Sequence, residues 1–229
     1  MKFGIEIMII ELIGIIAFAI SGAIVGIKKH FDIFGIIVLG VITAVGGGAL
    51  RDIMLGYLPP AMFRNSIYVL VAFLTSIIAF GLATVARLKF KKNKQFFMDL
   101  VNFCDAIGLG VFAVTGTNSA IVLGFSQNAF LAIFVGVITG IGGGMLRDIL
   151  AGKIPFVLYK DIYASAAIVG AVIYYYMYTW KINPILSVTS AILITILIRI
   201  FATYYHLSLP RIPKIKFEDS SDDENNFNK

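Results

Sequence analysis

Two arginine–aspartate pairs stand in this 229-residue chain where charge is expensive: Arg51-Asp52 and Arg147-Asp148, each just after a glycine triplet, Gly46-Gly47-Gly48 or Gly142-Gly143-Gly144, inside a long apolar run. Charged groups in membrane-spanning segments are costly and mark ion or substrate paths. Three successive glycines cost about 3 kcal/mol against alanine in a helix, so a kink or break is expected at each triplet. A break at mid-membrane frees carbonyls, which suit a cation, and amides, which suit an anion. The plainer use of such glycines is close helix packing. Of the 20 positions from Gly40 and from Gly136, 13 are identical, at an offset of 96 residues. The chain is therefore an internal duplication.

Neighbours on a helix point about 100° apart, so Arg51 and Asp52, like Arg147 and Asp148, are expected to pair elsewhere rather than with each other. Depth along the apolar runs suggests the partners. Glu11 lies opposite Arg51, and Asp105 stands in the mirrored position opposite Arg147. The competing expectation is that the arginines snorkel to headgroups and the acids cap helix ends. Hydroxyls and an amide add a polar stripe: Ser21, Thr43, Thr115, Asn118 and Thr139, with Thr43/Thr139 and Ser21/Thr115 at equivalent repeat positions. Together they outline a wet path; singly, each hydroxyl can bond a carbonyl of its own helix.

The elements that must hold these groups are transmembrane helices. Hydrophobic residues make up 59% of the chain and charged ones 14%, and the mean hydropathy is +0.92, which excludes an ordinary soluble domain. Seven apolar runs of spanning length fall at about 5–27, 33–56, 63–87, 98–123, 129–151, 159–180 and 184–206. They are continuous rather than alternating at period two, so an all-α polytopic membrane protein is expected, not a barrel. Asn183-Pro184 opens the last run. Glu6 and Glu11 argue against a secretory signal at the start of the chain. Cys104 is alone, so no disulfide or zinc spacing exists; His30 and His206 lie at helix ends, and no metal or catalytic cluster is legible. Tyr174, Tyr175, Tyr176, Tyr178 and Trp180 read as an interfacial belt.

Each copy holds three spans, an odd number, so the second copy crosses the membrane in the opposite sense. The expected organisation is a first three-helix repeat over 1–90, an inverted second repeat over 96–181, a seventh helix over 184–206, and a disordered acidic tail over 208–229. Inversion brings the second and fifth helices together near the midplane. The side holding the first, third and fifth loops and the C-terminus carries Lys28, Lys29, Arg87, Lys89, Lys91, Lys92, Lys94, Lys153, Lys160, Arg211, Lys214 and Lys216; the other has Lys2, Arg64 and Lys181. The C-terminus is thus expected in the cytoplasm and the N-terminus outside. The net charge of +6 reflects this topology and contact with anionic lipid, not nucleic-acid binding.

Two Gly-Gly-Gly-x-x-Arg-Asp motifs, on the second and fifth of seven helices, resemble the prokaryotic members of the trimeric intracellular cation (TRIC) channel family, over about residues 5–206. The resemblance implies a homotrimer in a prokaryotic plasma membrane, with a pore in each subunit kinked at Gly46–Gly48 and Gly142–Gly144. It implies passage of monovalent cations, potassium or sodium, with Arg51, Asp52, Arg147 and Asp148 shaping the pore, and no cofactor. The lysine- and glutamate-bearing motif of the eukaryotic members is absent. Related bacterial sequences have been described as glycine transporters, so a carrier of a small zwitterion stands beside the channel. An inverted repeat with features meeting at mid-membrane serves either.

Overall fold

The computed structural model describes residues 2–89, 94–159 and 162–205; the tail expected over 208–229 lies outside them. Each apolar run becomes a helix because lipid offers no partner for a free backbone amide or carbonyl. In chain order the helices are α1 (Lys2–Lys28), α2 (Ile33–Met54), the single turn α3 (Ala61–Arg64), α4 (Ile67–Lys89), α5 (Lys94–Ala120) with a π-helical end at Ile121–Phe125, α6 (Ala129–Leu150), the single turn α7 (Phe156–Tyr159), α8 (Ala164–Thr179) and α9 (Pro184–Tyr204). Among the described residues six are long and apolar enough to cross a membrane, and α8 is a shorter apolar helix of 16 residues, about 24 Å long at 1.5 Å per residue. The sixth run therefore begins later than the 159 expected for it. The third is likewise split, α3 being separate from α4.

The duplication is visible in the local chemistry. Asp32 caps α2 by accepting the Gly35 amide at 2.7 Å, and Asn128, 96 residues on, caps α6 by accepting the Leu131 amide at 3.0 Å. Both helices end at a glycine in the left-handed region, Gly56 (φ 67°) and Gly152 (φ 62°), where a side chain would be strained. Beyond these glycines the Tyr57 and Lys153 amides return to the Asp52 and Asp148 carbonyls. Pro184 opens α9 with Asn183 as its cap.

The glycine triplets lie inside continuous α-helix in both α2 and α6, so the break expected there is not present. What the central glycines do is let two backbones touch. A β-carbon on Gly47 would collide with the Thr139 carbonyl oxygen, and one on Gly143 with the Thr43 carbonyl oxygen. The flanking glycines repeat the relation: a β-carbon on Gly46 would lie 2.5 Å from Leu146 Cδ1, and one on Gly142 3.0 Å from Leu50 Cδ1. Positions rising along α2 meet positions falling along α6, so the two helices cross antiparallel, and their Arg-Asp ends point away from the crossing in opposite directions. Phe18 of α1 and Leu109 of α5 are fully buried and belong to the apolar core on either side. By contrast α4 shows Leu70, Phe73, Leu74, Ile78 and Leu82 on its surface, as lipid-facing residues do.

Candidate functional site

Each end of the α2–α6 crossing carries a charged cluster. In the first, Arg51 Nη1 meets Glu11 Oε1 at 3.0 Å, and Arg51 Nε meets Asp52 Oδ1 at 2.8 Å. The Tyr68 hydroxyl donates to Glu11 Oε2 at 3.0 Å, and Asp52 Oδ2 accepts the Ala61 amide at 2.7 Å. In the second, Arg147 Nη1 meets Asp105 Oδ1 at 2.5 Å and donates to Ser21 Oγ at 2.6 Å, Arg147 Nε meets Asp148 Oδ1 at 2.9 Å, and Asp148 Oδ2 accepts the Phe156 amide at 3.0 Å. Arg147 also lies over the Phe156 ring at 5.2 Å.

The cross-helix pairs Glu11–Arg51 and Asp105–Arg147 join α1 to α2 and α5 to α6 at the equivalent depths read from the sequence. The expectation that adjacent Arg and Asp would not pair is wrong in both copies. The 100° separation governs where the β-carbons point, but the arginine stem is long enough to curl back so that Nε reaches its neighbour. The aspartate is in turn fixed by the backbone amide at the start of the following turn, α3 or α7. Changing Asp52 to Asn weakens that charge-assisted bond, and we expect faster hydrogen exchange at the Ala61 amide, by about tenfold for a loss of about 1.5 kcal/mol; unchanged exchange would contradict the anchoring role.

The clusters differ in access to water. The first borders a cavity of about 30 Å³, room for about two waters, lined by Glu11, Ala44, Gly48, Arg51, Asp52, Tyr68 and Phe112 among others. The Glu11 side chain keeps 14% of its surface exposed, whereas the Arg147 side chain keeps none. In the second copy the corresponding space beside Gly144 is taken by Tyr163, whose hydroxyl lies 2.6 Å from where a Gly144 β-carbon would stand. Nothing but Arg51 Nη2, at 3.8 Å, lies near the same position on Gly48.

The groups of the polar stripe are held in different ways. Thr43 and Thr139 donate to the Leu39 and Val135 carbonyls of their own helices, both at 2.6 Å, and both are fully buried, packed at Gly22 and Gly116 respectively. Ser21 serves the second cluster, while its repeat equivalent Thr115 is buried with no hydrogen-bond partner for its hydroxyl. Asn118 faces α8 and accepts the Tyr174 hydroxyl at 2.6 Å. That bond also corrects the interfacial belt: Tyr174 and Tyr175 are buried, and Tyr176, Tyr178 and Trp180 are the exposed members.

The profile of the family described as "Glycine transporter" matches residues 8–84 and again 102–179, one match per repeat. The UPF0126 inner membrane protein YadS of Escherichia coli (strain K12) is 36% identical over 204 residues, covering 88% of this chain and 93% of its own. A UPF0126 membrane protein of Vibrio cholerae is 35% identical over 202 residues, 88% of this chain and 81% of its own. Among solved structures, the TRIC trimeric intracellular cation channel orthologue from Rhodobacter sphaeroides superposes with a TM-score of 0.80 at 30% identity, over 88% of this chain and 99% of its own. A prokaryotic TRIC channel solved in 0.5 M KCl gives 0.80 at 35% identity, over 90% and 99%. The chain belongs to the prokaryotic TRIC family. As in its relatives' descriptions, it is a membrane protein, and its all-helical fold is the TRIC fold.

For this TRIC-family chain, reading the sequence missed three residues. Tyr68 and Tyr163, just before or just inside the third and sixth spans, carry no signal beyond being tyrosines near a membrane boundary. Arg199 had one: it is the sole charge in the run from Pro184 to Tyr204. In the structure Arg199 is buried, as are Ser187 and Thr195 on the same helix.

Proposed function

We propose that the protein is a monovalent cation channel that passes potassium, each subunit of a homotrimer carrying its own path among α1, α2, α5 and α6. The observation that carries this reading is the whole-chain likeness to solved TRIC channels, at 30–36% identity and TM-scores of 0.74–0.80. The geometry fits it. Glu11 and Asp52 supply carboxylate oxygens at the wetter first mouth, Asp105 and Asp148 at the second, and Arg51 and Arg147 limit flow between them. The units 1–90 and 96–181 act as inverted halves, with 184–206 packed against them. Gly46–Gly48 and Gly142–Gly144 form the constriction where the halves cross, and Ser21, Thr43, Thr115, Asn118 and Thr139 line or brace its walls. The N-terminus lies outside and the C-terminus in the cytoplasm of a prokaryotic plasma membrane, by the excess of lysine and arginine in the loops on that side.

The second reading, a glycine carrier, has one observation in its favour, the description of the matching family. Purified protein in a planar bilayer under asymmetric potassium chloride separates the two. The channel reading expects unitary currents that reverse near the potassium potential. Silence there, together with saturable glycine uptake into liposomes, would replace it with the carrier.

A further inference from the structure

The last helix, α9, which has no counterpart in the duplication, brings a charge toward the second cluster. Arg199 on α9 is 2% exposed, and its guanidinium lies over the Tyr163 ring at 4.7 Å from the centroid. Nη1 donates to the Ile162 carbonyl at 3.4 Å, while Nε and Nη2 have no hydrogen-bond partner among the described residues. Among the described residues the ion pairs belong to Arg51 and Arg147 alone. A guanidinium does not deprotonate in proteins, and burying it without a carboxylate partner is expensive, so its place on α9 costs stability. Through Tyr163, which packs on Gly144, Arg199 bears on the end of α6 that carries Arg147.

Counting formal charge makes the mouths unequal. The first cluster sets Glu11 and Asp52 against Arg51, leaving one negative charge. The second sets Asp105 and Asp148 against Arg147 and Arg199, leaving none. The turn after α6 carries Lys153 where the first copy has Tyr57 with the Arg64 guanidinium over its ring at 3.7 Å, so the difference between the mouths lies in the clusters and not at the rims. Burial lowers the Lys153 pKa below its ordinary value, and the nearby Lys28 adds to the shift.

Resting on the channel reading above, we infer that Arg199 is a positioning residue which seats Tyr163 and neutralises the second mouth, making that mouth the barrier to cations and current unequal in the two directions. Single channels recorded in symmetric potassium chloride test it, with Arg199→Gln removing the charge and Arg199→Lys keeping it. Wild-type channels rectify, R199Q lowers the rectification ratio by about threefold or more, and R199K stays near the wild type. Trimer recovery by size exclusion confirms that the variants are folded. Because the cause is fixed charge, the wild-type ratio also falls as salt is raised from about 0.05 to 1 M, where screening shortens to about 3 Å; this needs no variant. A ratio that ignores both salt and R199Q overturns the role of Arg199 while leaving the channel standing. A wild-type protein that passes no current overturns both.

Discussion

Replacing Arg147 by glutamine is expected to lower stability by about 3–5 kcal/mol, because it leaves Asp105 and Asp148 buried without their counter-charge. Both carboxylates now meet the same guanidinium, at 2.5 and 2.9 Å, and neither has appreciable contact with solvent. Glutamine supplies one amide in place of a five-donor fork. The equivalent change at Arg51 should cost less, about 1–2 kcal/mol, since Glu11 is partly exposed, lies beside the cavity and keeps its bond from Tyr68. Heating detergent-solubilised protein and following the folded peak by size exclusion measures both. Adding Asp105→Asn to the Arg147 variant should recover part of the loss. Equal losses at Arg51 and Arg147, or no recovery in the double variant, would show that burial of the second cluster is not what sets its energetics.

The second large effect turns on sign. Helix propensity alone makes Gly→Ala stabilising by about 1 kcal/mol. At Gly47 and Gly143 the new methyl would meet a carbonyl oxygen of the facing helix. Backbone cannot rotate aside as a side chain can, so G47A and G143A should each destabilise by about 1–3 kcal/mol or more. G48A, whose new methyl would meet only Arg51 Nη2 at an ordinary 3.8 Å, should be neutral or slightly stabilising, within about 0.5 kcal/mol of the propensity gain. A stabilised G47A or G143A would end the packing account and return the triplet to the role of a hinge.

That contrast also explains where reading the sequence succeeded and where it did not. The duplication, the inverted halves and the cross-helix partners Glu11–Arg51 and Asp105–Arg147 follow from offset, parity and depth, which the sequence states directly. The break at the triplets does not follow, because glycine's cost in a helix is measured where water can take the freed amides. In lipid there is nothing to take them, and the same absent side chains are used instead to bring α2 and α6 into backbone contact. Arg–Asp adjacency was misjudged by treating a β-carbon direction as the reach of an arginine. The difference in wetness between the two clusters was not legible at all, since it depends on Tyr163 filling one copy's space while the other copy's stays open. Arg199 could have been flagged as an isolated charge in an apolar span, but its partner is an aromatic face, for which no spacing rule exists.

The reach of Arg147 across 126 residues to Ser21 has a consequence for how the protein is made. At about 5–20 residues per second, roughly 6–25 s separate the synthesis of that serine from that of its arginine. During that interval α2 and α4 are themselves made, and they wait with the glycine face of α2 uncovered and the Ser21 hydroxyl not yet matched. The first half of the chain therefore waits for α6 before its glycine face and the Ser21 hydroxyl are covered, so a chain interrupted between the repeats lacks both the α2–α6 crossing and the second charged cluster.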